Sequence, residues 1–266
     1  LKCVRPILQQ FYAAFKEKAF TPGAINRRRA VFENIKRLSG VAANGRTTPL
    51  AFIHATDIKF VRLLMNWFCS IEHLGVDIKD SVVVIALDTE VADVLKRLKL
   101  HVLDQQDFGY SASEVWRAPG NDQSVKGLFY IAMSEAIHLN ISMAFNDADT
   151  VWIKDVREYL ANEASQQFTD VVTMLAPTFS SNGQANTGFT LVRANEKTKG
   201  FMATLANTYP LMMQMFDDQR IFNSLLRHWK YRQVTWANLP KVPLGVPLGL
   251  LCSVVFPNLC VLSLFF

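Results

Sequence analysis

Apolar and polar residues fall into a regular succession of short runs along this chain. Residues 3–40 carry two stretches of helical period, broken at Thr21-Pro22-Gly23, and Ala43-Asn44-Gly45-Arg46-Thr47-Thr48-Pro49 reads as a loop. Leu50-Ala51-Phe52-Ile53-His54-Ala55 then predicts a short apolar strand. Asp57 is placed to cap a helix running to about Leu74, with Val61, Leu64, Met65, Phe68 and Ile71 as its apolar face. Ser81-Val82-Val83-Val84-Ile85-Ala86-Leu87 is the continuous β-branched run expected of a strand covered on both faces. Next come a helix over about 89–98, a strand at His101-Val102-Leu103, a polar loop over 104–122, a helix over about 124–139 and a strand at Ile141-Ser142-Met143-Ala144-Phe145. Further on, the pattern predicts strands at 170–175 and 188–192, a polar loop from Ser180 to Asn186, and helices over about 195–208 and 217–229.

Strand, helix, strand, helix in this order predicts an α/β fold: a mostly parallel central sheet flanked by helices, with a Rossmann-like N-terminal half. Without internal repeat or linker, the chain reads as one domain over 49–266 behind an N-terminal helical segment over 1–48. In such sheets the ligand lies beyond the carboxyl ends of the strands. The tail has no charged residue after Lys241. Pro243, Pro247 and Pro257, with Gly245 and Gly249, interrupt it too often for a membrane span, so buried strand and turn is expected, at an end so apolar that truncation or an aberrant terminus is suspected. The chain opens on Leu1 rather than Met, as a processed chain or fragment would, and a signal peptide or membrane anchor could have preceded it.

Composition changes the picture little. Half of the 266 residues are apolar and 19% are charged, which marks a folded chain with ample core. The net charge of +5 is concentrated early, in Arg27-Arg28-Arg29 and Lys36-Arg37. Such a run is ordinarily a solvated helix face; the sharper reading is a surface for anionic lipid or an acidic substrate. No aromatic residues interleave with it, so nucleic acid is not an expected partner. Of the four cysteines, Cys69 lies in an apolar helical run and is expected in the core, Cys252 and Cys260 could pair or pack, and none has zinc-ligand spacing.

The candidate chemistry lies in Phe145-Asn146-Asp147-Ala148-Asp149, directly after a buried strand. Residues i and i+2 of a strand share a side, so Asp147 and Asp149 would point together. Adjacent carboxylates repel unless a cation neutralises them. Mg²⁺ or Mn²⁺ suits such a pair, taking one or two carboxylates and completing its shell with phosphate oxygens and water. Triplets of this kind also serve as turns or helix caps. Three more segments point to a site. Asn186-Thr187-Gly188-Phe189 puts a small polar group and a flexible glycine just before a strand, Asp217-Asp218-Gln219 opens a helix, and Lys126 near a helix start could reach a phosphate. Each has an ordinary alternative as turn, cap or solvated lysine.

Taken together, Asn66-Trp67, Val84-Ile85-Ala86-Leu87-Asp88, Lys126, the extended motif from Asp147 to Asp155, Asn186-Thr187-Gly188-Phe189, Asp218-Gln219 with Asn223, and Phe256-Pro257-Asn258 resemble the nucleotide-diphospho-sugar transferase family that includes plant rhamnogalacturonan xylosyltransferases. The segments run in family order over about residues 50–260. The resemblance implies a GT-A-like single domain, a nucleotide-sugar donor (usually a UDP-sugar), Mn²⁺ or Mg²⁺, a glycan or glycoprotein acceptor, and transfer with retention. It implies that Asp147 and Asp149 hold metal and diphosphate, and that Asp88 faces the nucleotide. Asn186, Thr187 and Gly188 would line the donor-sugar or acceptor pocket, and Asp218 and Gln219 would sit close to the reacting sugar. No catalytic base is named, since the leaving phosphate can take the acceptor's proton. A Golgi-lumen enzyme with a lost N-terminal anchor is implied as well.

One departure stands out. The family commonly has glycine after Phe-Pro-Asn, and Leu259 stands there in this chain. That keeps open an inactive nucleotide-sugar-binding relative. The other alternative is a haloacid-dehalogenase-like phosphatase, because Asp147-Ala148-Asp149-Thr150-Val151 also spells that family's DxDx[TV] signature, with Asp147 as nucleophile and Asp149 as acid/base. Against it, about 140 residues precede Asp147, and Leu211 to Phe216, before the later acidic pair, read as helix rather than strand.

Overall fold

Ridges of apolar residues, placed as the pattern predicts, settle the chain into alternating strands and helices. The computed structural model describes residues 13–39, 49–111, 123–147, 150, 152, 155, 157, 170–175, 185–212, 218–228 and 233–238. A helical stretch over 13–19 ends before Thr21, whose hydroxyl accepts from the Ala24 amide, and Pro22 opens α1 (Pro22–Ser39). Then come β1 (Leu50–Thr56), α2 (Val61–His73), β2 (Val82–Ala86), α3 (Thr89–Arg97), β3 (His101–Leu103), α4 (Gln123–His138) and β4 (Ser142–Asn146). The second half supplies β5 (Val171–Leu175), β6 (Ala185–Val192), α5 (Glu196–Met212), α6 (Asp218–Arg227) and β7 (Trp236–Asn238). The apolar tail after Lys241, and Cys3, Cys252 and Cys260, lie outside the described residues.

The strands form one sheet in the order β3-β2-β1-β4-β6-β5-β7. β1 pairs in parallel with β2 and with β4, and β2 with β3. β6 is antiparallel to both β4 and β5, and β5 is parallel to β7, so β6 alone runs against the rest. This is the mostly parallel α/β sheet the alternation predicts. The chain starts in the middle with β1, winds outward through β2 and β3, then returns to β4 on the other side of β1. The switch point of the winding is therefore the crevice between β1 and β4, where open α/β sheets place their ligands.

Both sheet faces are covered. Ala51 and Ile53 of β1 join one core with Phe32 and Ile35 of α1, Ile131 and Ala132 of α4, and Phe201 of α5. Phe52 of the same strand joins the other, with Leu64, Trp67 and Ile71 of α2 and Val91 and Leu95 of α3. That is the period of two, with both sides apolar. Phe15 and Ala19 belong to the first core too, so the N-terminal helical residues share it with the sheet. Among the described residues no helix is long and apolar enough to cross a membrane.

Four details depart from the sequence pattern. Arg28, expected on a solvated helix face, is fully buried: its Nε donates to Glu135 Oε2 at 2.8 Å and its Nη2 to the Ala19 carbonyl at 2.6 Å. Charge alone could not reveal that a carboxylate on α4 waits opposite it. Cys69, expected in the core, is exposed, because α2 turns Leu64, Trp67 and Ile71 inward. Asp57 caps the turn ahead of α2 rather than the helix itself, accepting from the Lys59 and Phe60 amides at 2.9 and 3.0 Å. Finally, β6 begins at Ala185, so Asn186, Thr187 and Gly188 lie within a strand instead of before one.

Candidate active site

The acidic segment emerges where the winding changes direction. Ile53 of β1 stands level with Phe145 of β4, two residues before Asp147. β4 ends at Asn146, and the Asp147 amide donates to the Gly188 carbonyl of β6 at 2.9 Å. The Asp147 carbonyl then accepts from the Thr150 amide at 3.2 Å, the Thr150 hydroxyl at 2.8 Å and Asn146 Nδ2 at 3.1 Å. The extended strand thus stops before Asp147, and strand alternation is not what directs its carboxylate. Asp149 lies outside the described residues.

Lys126, in the first turns of α4, donates from Nζ to Asp147 Oδ1 at 2.9 Å. Its ammonium also stands 4.4 Å from the centre of the Phe145 ring, a favourable cation–π placement. The lysine side chain is 23% exposed and that of Asp147 is 40% exposed, so the pair sits at the surface of the crevice rather than in the core.

β6 flanks β4 on the side away from β1. Its pairing with β5 passes from Thr173 with Thr190 directly to Met174 with Asn186. The register shifts between these pairs, and Phe189 stands level with Asn146 of β4. Thr187 is buried. Asn223 fastens α6 to the start of this strand. Its Nδ2 donates to the Ala185 carbonyl and its Oδ1 accepts from the Ala185 amide, both at 2.9 Å. Its Nδ2 also reaches the Gln219 carbonyl at 2.8 Å. The helix opened by Asp218 and Gln219 is therefore held one turn from Ala185 and Asn186.

Asp88 stands elsewhere. It ends the β2 side, with Oδ1 accepting from the Val91 amide at 2.8 Å and Oδ2 from the Ile58 amide at 2.9 Å. It caps α3 and ties the turn after β1 to β2. Since β1 lies between β2 and β4, Asp88 stands two strands across the sheet from the Asp147 segment. The structure thus brings Lys126, Asp147 and Gly188 into contact, fastens α6 to Ala185 through Asn223, and keeps Asp88 two strands away.

Beyond the acidic segment the chain is anchored at two points. Trp152 is buried, its amide donates to Ser70 Oγ of α2 at 3.1 Å, and its ring packs edge-on to Phe52 and Trp67 at 5.1 and 5.5 Å. Arg157 grips Asp155, from Nη2 to Oδ2 at 2.8 Å, and donates to the Asp77 carbonyl. That guanidinium holds the Asp155 carboxyl below the usual carboxylate range. Local sequence carries no signal for the Trp152 anchor, the Arg157 bond to Asp77 or the Asn223 clasp, because each partner is distant in the chain.

A divalent cation fits the residues at the crevice. Asp147 offers a hard-oxygen donor at its surface. Among the described residues no group of three His, Cys, Asp or Glu could hold a metal ion, but a hard ion shared with a diphosphate needs only one or two carboxylates. The phosphatase alternative fits poorly: Asp147 comes after the fourth strand in chain order, and Leu211 and Met212 are the end of α5.

Comparison with known proteins bears on the whole of this region. A sequence model described as nucleotide-diphospho-sugar transferase matches residues 77–261. Among solved structures, the chain is similar to mouse xyloside xylosyltransferase 1 in its apo form, at 13% identity over 72% of this chain and 84% of that one, with a TM-score of 0.43. It is also similar to core-mannan synthase A from Aspergillus fumigatus in its Mn/GDP form, at 8% identity over 76% and 75%, with a TM-score of 0.42. No curated protein matches the chain.

Proposed function

We propose, from the premise that this chain belongs to the nucleotide-diphospho-sugar transferase family, that it moves a sugar from a UDP-sugar to a glycan or glycoprotein acceptor, with Mn²⁺ or Mg²⁺ and with retention. The observation that carries this reading is the meeting of Lys126, Asp147 and Gly188, from three separate segments, beside the switch point of the sheet. In this reading Asp147 and Asp149 would hold the metal, whose charge would offset that of the leaving diphosphate. Lys126 adds a second positive charge on the same side. Asn186, Thr187 and Gly188 line the sugar side of the crevice, and the Asp218-Gln219 end of α6 faces the reacting sugar across it. Asp88, with both oxygens engaged by backbone amides, shapes the turn after β1 against which the nucleoside would lie. A lumenal Golgi setting behind an N-terminal anchor accords with the resemblance.

The test is a screen of UDP-sugars for hydrolysis with and without Mn²⁺. Metal-dependent release of UDP from at least one donor, lost in Asp147→Asn, is the expected outcome. Binding of UDP with no turnover of any donor would make the chain a binding relative, and turnover of a simple aryl phosphate with UDP ignored would overturn the reading.

A further inference from the structure

The ion pair at the crevice has a direction built into it. Asp147 is held at its backbone on both sides: its amide is bound to Gly188, and its carbonyl takes three donors from Asn146 and Thr150. The carboxylate therefore has a fixed root. Lys126 reaches it from α4 on a flexible four-carbon stem, lying over the Phe145 ring with a side chain only 23% exposed. Of the two partners, the lysine is the one that can turn away.

We infer that Lys126 is the resident counter-ion of Asp147, and that its exchange from carboxylate to diphosphate makes metal and nucleotide bind cooperatively. This rests on the sugar-transferase reading of the site. A divalent cation arriving alone at Asp147 meets an ammonium 2.9 Å from the same oxygen. It must break the ion pair and leave two like charges close together. A cation arriving with a nucleoside diphosphate brings new anionic oxygens for the displaced ammonium. Lys126 thus weakens metal binding to the nucleotide-free protein and strengthens nucleotide binding to the metal-loaded one. By linkage each ligand favours the other by the same factor.

The experiment measures Mn²⁺ and UDP affinities by calorimetry on the unaltered chain and on Lys126→Gln, Lys126→Met and Lys126→Arg. An opposite charge this close changes a carboxylate's affinity for a proton by roughly ten- to thousandfold, so an effect of about tenfold on Mn²⁺ is expected. Lys126→Gln should bind Mn²⁺ without nucleotide about tenfold more tightly, and UDP at saturating Mn²⁺ about tenfold more weakly. Lys126→Arg, which keeps the charge, should stay near the unaltered values. Circular dichroism checks the fold, and Lys126→Met supplies a second neutral variant should Lys126→Gln fail to fold. Nucleotide-free Mn²⁺ affinity unchanged or weakened in the folded neutral variants overturns the counter-ion role while leaving the transferase reading intact. Absence of metal-dependent UDP binding in the unaltered chain overturns both.

Discussion

His54 stands on β1 with its imidazole wholly buried, 4.1 Å from the Trp67 ring, and among the described residues neither ring nitrogen has a hydrogen-bond partner. Burial alone pulls its pKa down to about 3. Between about 3 and 6.5 the unfolded chain binds a proton that the folded chain refuses, so stability rises with pH across that window and falls as the solution is acidified through it. A single such group contributes a slope of about 1.4 kcal/mol per pH unit. His54→Leu should therefore flatten the acid side of the stability curve, read from urea midpoints at pH 4 to 7. An unchanged slope in the variant would show that His54 is not the group responsible. At the same scale Arg28 shows why single charges are poor guides. The chain spells a basic run, yet one member is a buried fork on Glu135, whose own carboxyl is pushed up by burial and drawn back by that guanidinium.

Elements meet at the site through one amide side chain. Asn223 matches the amide and carbonyl of Ala185 as another strand would, and so fixes the start of α6 against the start of β6. Asn223→Asp keeps the shape but turns the donor to the Ala185 and Gln219 carbonyls into an acceptor. Losing the donor to the buried Ala185 carbonyl costs about 1–3 kcal/mol. We expect that loss in thermal or chemical unfolding, together with a drop in donor turnover larger than any change in Mn²⁺-dependent UDP binding, because Asp147 hangs from β4 and Gly188 rather than from α6. Equal losses in turnover and UDP binding would place Asn223 outside this division of labour. The element borders were mostly legible: β3 and the starts of α3, α4 and α6 fall within a residue of the periodic pattern. β7 is not legible in the sequence, since three residues carry no period and its existence depends on β5 lying beside it.

Over the whole molecule, the N-terminal helices are tied to α4 by the Arg28 fork and to the turn after β3 by a close approach at Gly109. That glycine has φ +82°, and a Cβ there would stand 2.3 Å from the Lys18 carbonyl oxygen. Gly109→Ala should lower unfolding stability by about 1–3 kcal/mol, through both the strained backbone and the collision. A denaturation midpoint equal to that of the unaltered chain would refute this docking. By itself the sequence determined the α/β class, the parallel winding and the family, because hydrophobic period and motif order are local or linear properties that survive without coordinates. It also marked Lys126, Asp147 and Gly188 as separate candidates. Only the tertiary structure decided that these three meet and that Asp88 caps α3, and that Cys69 faces outward while Arg28 faces in. Each of those outcomes depends on which strand lies beside which and on how far a helix is rotated. They are set by the summed packing of both sheet faces, which no single segment encodes.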